Sequence, residues 1–161
     1  MLFEQIATGG CRSYLIGCAE SCAAAVIDPE LSQIDRYLAL AAHHGLRIRY
    51  LLDTHTHADH FSATRELARR LEVPIAMHQA SPAPFVDMRV GDGESIVLGK
   101  LRINVMHTPG HTRDSMCLRV SIRHSKSIRR TNTRIAATPL SHRSSGRIPA
   151  CRSALAPSSS R

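Results

Sequence analysis

Three imidazoles and a carboxylate fall within six residues in the stretch Thr54-His55-Thr56-His57-Ala58-Asp59-His60, directly after the largely apolar run Ile48-Arg49-Tyr50-Leu51-Leu52. Imidazole nitrogen and carboxylate oxygen together suit zinc, iron or manganese. The alternative is a polar loop that happens to be rich in histidine. Ten histidines in 161 residues would rarely bunch so tightly while keeping alternate spacing, so metal ligation is the stronger reading. A second cluster, His107-Thr108-Pro109-Gly110-His111-Thr112, ends another apolar run, Leu101 to Met106.

Other residues invite the same question. Asp53 stands next but one to His55, where it could orient a ligand imidazole through a carboxylate–histidine bond or cap a helix or turn. His107 could support the ligands from behind or serve the strand end alone. His78 ends a strand and is read as structural, and His43 and His44 as surface residues of a helix end. Asp114 is the only acid near the second cluster and a candidate for an open coordination position.

These residues need a scaffold, and the chain spells one out. Short apolar runs broken by Gly, Pro and polar residues predict three strands over residues 2–27, the last being Ala23-Ala24-Ala25-Val26-Ile27 before Asp28-Pro29. From Ser32 the period becomes helical, with Ile34, Leu38 and Ala41 on one stripe, Ser32 as cap and Gly45 at the C-terminal stop. Ile48–Leu52 reads as a buried strand that delivers the first cluster at its C-terminal end, the usual place for chemistry in α/β folds. A second helix is predicted over 61–72, then a strand Pro74–His78, a loop over 79–86 and a turn at Gly91-Asp92-Gly93. Ile96–Leu98 and Leu101–Met106 form a predicted hairpin with Gly99-Lys100 as a type II′ turn. Ser115–Val120 is the last segment with clear strand character.

Length fits one domain with a real core. The formal charge of +8 suggests nucleic acid or membrane until it is located. Residues 1–120 carry 12 Lys and Arg against 13 Asp and Glu, whereas residues 121–161 carry nine basic residues and no acid. That ending holds ten serines and no aromatic residue, and no acid follows Asp114. It is expected to be a disordered or out-of-frame basic Ser/Arg-rich tail behind a domain at 1–120. Lacking aromatic interleaving, it does not read as a specific nucleic-acid binder. The five cysteines, an odd count without paired spacing, are expected to be free thiols. No signal-peptide pattern opens the chain and no run is long enough to span a bilayer, so the expectation is a cytoplasmic protein without membrane contact.

The seven-residue stretch from Thr54 to His60 resembles the metal-binding signature of the metallo-β-lactamase superfamily, and Thr108-Pro109-Gly110-His111-Thr112 resembles its second signature. The spacing between them and the Gly91–Leu98 segment are similar as well. The resemblance implies an α/β fold (α+β in some schemes), an αββα sandwich. Here it would be incomplete, with the first half and the start of the second in residues 1–120. It implies a first metal site of His55, His57 and His111, with Asp59 and His60 belonging to a second. Within the superfamily the chain looks most like the persulfide dioxygenase and glyoxalase II branch.

The dioxygenase reading implies one Fe2+ and oxidation of glutathione persulfide to sulfite. The glyoxalase II reading implies one or two zinc or iron ions and hydrolysis of a glutathione thioester. Either makes a small glutathione-type thiol the partner. Both chemistries need an aspartate from beyond Val120, where this chain has none. A third reading is therefore a truncated, catalytically inactive metal-binding fragment. Such a fragment is expected to leave an apolar sheet face without its opposing layer.

Overall fold

A computed structural model describes residues 1–8, 11–57 and 62–123, together with the backbone of 133–135. Ten strands and two helices are assigned among these residues. Strands β1 (Leu2–Thr8), β2 (Cys11–Cys18) and β3 (Ala23–Ile27) fill the region read as three strands. Helix α1 (Ile34–His43) leads to β4 (Arg47–Leu52), and α2 (Thr64–Leu71) leads to β5 (Ile75–His78) and β6 (Met88–Val90). Then come β7 (Ser95–Leu98), β8 (Leu101–His107), β9 (Met116–Ile122) and β10 (Thr133–Ile135).

The first six strands make one sheet in chain order, and the last four make a second in the order β10-β9-β8-β7. Strands β1 to β3 pair antiparallel, whereas β3 to β6 run parallel. The parallel crossovers carry α1 and α2 onto one face of the first sheet, and the second sheet packs on the other. Strand β3 is therefore buried on both faces, which explains its sequence. Ala24 and Val26 face the helices with Leu15, Tyr37, Leu51 and Leu67. Ala23, Ala25 and Ile27 face the second sheet with Ile103, Val105, Leu118 and Val120. Small side chains let both layers close on the strand, and this settles the strand identity of an alanine run that propensity alone leaves open.

The layers are helices, sheet, sheet, the partial αββα sandwich that the resemblance implies. The first sheet has an opposing layer on each side, contrary to the expectation of a bare apolar face. The outer face of the second sheet is mixed, with Arg102 and Arg119 exposed, and Ser95, Asn104, Ser121, Met106 and Cys117 half-buried. Val97 is its exposed large hydrophobic residue.

Other expectations shift in detail. The helix predicted from Ser32 begins as a 3-10 turn at Leu31–Gln33, capped by the Glu30 carboxylate, which accepts from Ser32 N (3.3 Å) and Ser32 Oγ (2.8 Å). An acid at a helix start satisfies free N–H groups and meets the positive end of the dipole. Gly45, at φ 63°, ends α1 as expected. The start of the second predicted helix, Phe61, lies outside the described residues. Strand β6 follows the proline-containing loop and is too short to register as a sequence pattern. The ending from residue 121 was expected to carry no strand, yet Thr133–Ile135 pairs antiparallel with Leu118–Val120. The open backbone edge of β9 supplies the partners, so three residues suffice. Strand β9 runs on to Ile122, and residues 124–132 and 136–161 lie outside the described residues. Cys11, Cys18 and Cys117 are thiols outside any disulfide, as expected, but Cys22 is disulfide-bonded. It sits half-exposed on the tight turn before β3.

The β7–β8 hairpin turns at Gly99 (φ 60°), with Leu98 paired to Leu101, in agreement with the expected turn. A Cβ at Gly99 would collide with the side chain of Ser21 and lie 3.0 Å from Cys18 Sγ. Lys100 N donates to Cys18 Sγ (3.4 Å), and Lys100 pairs with Glu20. The hairpin tip of the second sheet is thus seated on the β2–β3 turn of the first.

Among the described residues, no helix is long and apolar enough to cross a membrane.

Candidate metal centre

Because β3 and β4 are parallel neighbours, their C-terminal ends lie side by side, and Asp28 N donates to Leu52 O (2.8 Å) as the ladder closes. The chain leaves β4 through Asp53 and enters the alternating stretch Thr54-His55-Thr56-His57. On the opposite sheet, β8 ends at His107 and β9 begins at Met116. The loop between them carries His111, and Met116 N donates to Thr54 O (2.9 Å). Two strand ends from one sheet and one loop from the other therefore meet at a single edge.

The three imidazoles of the expected first site come together there. The ring centroids of His55 and His57 are 4.1 Å apart, and those of His55 and His111 are 5.0 Å apart. His57 is nearly buried, whereas His111 is exposed. The His55 ring is held below its ordinary pKa by burial first and by His57 second, which favours the neutral imidazole that a metal needs. Asp59 and His60, expected at a second site, lie outside the described residues.

Hydrogen bonds fix which nitrogen each ring presents. The Thr54 hydroxyl has one proton and donates it to Asp28 Oδ2 (2.8 Å). Toward His55 Nδ1, 3.0 Å away, it can only accept, so Nδ1 carries the hydrogen and Nε2 keeps its lone pair. His57 Nε2 lies 3.2 Å from Asp28 Oδ1 and 3.8 Å from Asp53 Oδ1. Facing two carboxylate oxygens, Nε2 is the protonated nitrogen, and the Nδ1 lone pair is the one available for ligation.

Among the described residues, Asp28, Asp53 and His57 bring their donor atoms within 4.8 Å of one another. Asp53 is both things the sequence allowed. It approaches His57, and it accepts from Thr64 Oγ1 (2.6 Å) and Ser62 Oγ (3.2 Å) at the start of α2. Burial, followed by the neighbouring Asp28 charge, pushes its carboxyl up to about 6. Its folded pKa is raised, so it favours the fold below pH 3.8 and loses that contribution as pH climbs toward 6. In the metal-free chain, the stability of the wild type relative to Asp53→Asn should fall by on the order of 3 kcal/mol between pH 4 and 6.5. Urea denaturation at a series of pH values reads this directly, and a flat difference would refute it.

Asp114 does not join the imidazoles. It is buried and accepts from Thr56 N (2.9 Å) and Thr56 Oγ1 (2.7 Å). Burial pushes its carboxyl up, but hydrogen bonds from Thr56 and Thr112 outweigh this and hold it below its usual value. Both bonds fall on Oδ2 and tie the carboxylate to the Thr56 loop. His107 also stands apart from the three imidazoles: Nε2 donates to Arg113 O (2.9 Å), and the ring stacks on buried His78 with centroids 4.0 Å apart. His43 and His44 sit at the end of α1, with His44 3.7 Å from Glu4.

The residue that sequence reasoning missed is Asp28. Its signal was available, since an acid closing a strand parallel and adjacent to β4 must lie beside whatever β4 delivers.

A family model described as the metallo-beta-lactamase superfamily matches residues 7–124. The chain is 40% identical over 96 residues to the hydroxyacylglutathione hydrolase of Anaeromyxobacter dehalogenans, covering 59% of this chain and 37% of that protein. It is 34% identical over 100 residues to the mitochondrial persulfide dioxygenase ETHE1 of Mus musculus, covering 62% of this chain and 39% of that protein. The crystal structure of ETHE1 from Myxococcus xanthus superposes with a TM-score of 0.72 at 34% identity, covering 74% of this chain and 54% of that one. The chain thus spans under two-fifths of the length of these two curated relatives.

Proposed function

The chain belongs to the metallo-beta-lactamase superfamily, and on that footing we propose that it holds one iron or zinc ion on His55, His57 and His111 for the chemistry of glutathione-derived thiols. The observation that carries this is the meeting of three imidazoles at one sheet edge, with His55 Nδ1 and His57 Nε2 turned to hydrogen-bond partners. That donor set fits a divalent transition metal. Bound there, the ion would supply Lewis acidity in the zinc form and one-electron chemistry with dioxygen in the iron form. The protein's own part is to keep His55 neutral, to fix both rings and to leave His111 exposed at an open mouth. Asp59 and His60 are proposed to belong to a second site.

The first reading is persulfide dioxygenase chemistry, the oxidation of glutathione persulfide to sulfite, supported by the likeness to ETHE1 in sequence and fold. The second is hydrolysis of a glutathione thioester, supported by the higher identity to the hydrolase. Both are weighed against a metal-binding fragment without turnover, because no acid follows Asp114. The test is to purify the chain, measure bound metal, and reconstitute it separately with ferrous iron and with zinc. Oxygen consumption with glutathione persulfide supports the first reading, and release of glutathione from a glutathione thioester supports the second. Stoichiometric metal without either supports the fragment, and no metal uptake overturns the proposal.

A further inference from the structure

Four loops leave the C-terminal ends of the parallel strands β3, β4, β5 and β6, over residues 28–33, 53–63, 79–87 and 91–94. A fifth, 108–115, joins them from the second sheet, where Met116 N donates to Thr54 O (2.9 Å). In sequence these five loops hold eight Asp and Glu but a single basic residue, Arg113. That one cation stands two positions beyond His111. A small anion approaching this rim is repelled by most of it and drawn to one point.

Arg113 is exposed, and its guanidinium makes no hydrogen bond or ion pair with the described residues. The acid beside it is not its partner, because Asp114 is buried and tied to Thr56. Two arginines that flank the rim are committed elsewhere. Arg65 lies over the Phe85 ring (5.0 Å), and Arg89 donates to Ser81 O (2.7 Å) and Ala83 O (2.8 Å).

The stem of Arg113 is nonetheless held. Its carbonyl accepts from His107 Nε2 (2.9 Å), and the His107 ring lies flat on His78, which is 2% exposed, with centroids 4.0 Å and planes 11° apart. On either side of it, Thr112 N donates to Ser115 Oγ (3.0 Å) and Asp114 is anchored across the sheets to Thr56 N (2.9 Å). A fixed backbone under a free guanidinium reduces the ordering cost of gripping a ligand to that of one side chain.

We propose that Arg113 is a specificity-determining residue, pairing with a carboxylate of the substrate and so selecting thiols that carry a bare carboxylate. This rests on the reading of His55, His57 and His111 as a metal site for glutathione-derived thiols. The planar guanidinium donates two parallel hydrogen bonds to a carboxylate, which an ammonium does not match. Of the two carboxylates of glutathione, the γ-glutamyl one neighbours an ammonium that the acidic rim accommodates. The glycyl one is the bare anion, and it is the group assigned to Arg113.

Isothermal titration of the zinc-loaded full chain with glutathione, and with glutathione esterified at the glycyl carboxylate, tests the pairing without turnover. Arg113→Gln should weaken glutathione about 10-fold and leave the ester unchanged, and the wild type should bind the ester about 10-fold more weakly than glutathione. Arg113→Lys should recover part of the loss. Arg12→Gln, which removes an exposed cation on β2, should change neither ligand. Equal losses for acid and ester in Arg113→Gln, no loss at all, or the same loss in Arg12→Gln overturns the assignment. So does normal zinc uptake without glutathione binding, and in each of these cases the metal reading stands. A wild type that takes up no zinc overturns the metal reading and the assignment with it.

Discussion

Replacing His57 with alanine should weaken zinc or iron binding by more than about 100-fold, since even an outer partner of a ligand is worth about 10- to 100-fold. His111→Ala should do the same to the metal, but the two variants part company in the metal-free protein. His111 is exposed, and its removal leaves no buried group unmatched. Its metal-free stability should stay within about 0.5 kcal/mol of the wild type. The His57 side chain is 5% exposed and stands between the carboxylates of Asp28 and Asp53. Without it, two buried acids face each other with one donor fewer, which should cost about 1–3 kcal/mol. Metal competition titrations and metal-free urea denaturation on both variants check the pair. Equal stability losses would show that His57 is not integrated as its contacts indicate.

Leu118→Ala should destabilise the chain by about 2–5 kcal/mol, while Arg119→Ala, one residue on, should change stability by less than about 0.5 kcal/mol. Leu118 is 1% exposed in the cluster between the sheets, against Ile27, Leu52 and Ile103. Arg119 lies on the outer face. The contrast asks whether the second sheet is packed as a cooperative part of a chain that covers so little of its curated relatives. Near-equal midpoints for the two variants in urea denaturation would show that β9 is not seated.

Much of this organisation is written locally. The strands of residues 2–27 follow from Gly/Pro punctuation, the Gly99 turn from one glycine, and the three imidazoles from types and spacing that no core strand would use. What stayed hidden depends on distance along the chain. Asp28 meets Thr54 across 26 positions and Asp114 meets Thr56 across 58, so neither threonine shows its purpose in its own neighbourhood. Read alone, Asp28-Pro29 is a turn and Asp114 a stray acid. Only the parallel pairing of β3 with β4, and the approach of the second sheet to Thr54, turn them into parts of one site. Strand β10 was illegible for a related reason: its partner is the edge of β9, and a three-residue pairing leaves no period to detect.

The seating of Gly99 on the β2–β3 turn divides the molecule into two ends with different freedom to change. At that end, a side chain or an inserted residue meets Ser21 and Cys18 at once, so chain length is locked there. At the opposite end, an added Cβ at Gly110 meets nothing within 4 Å; Gly93 is as open, but its φ of 77° keeps it a glycine. Insertions and new side chains can accumulate around the metal-facing loops without disturbing the sheets, whereas the hairpin end must be inherited intact. A scaffold built this way can acquire new substrates by lengthening one rim while its other rim keeps the register of both sheets.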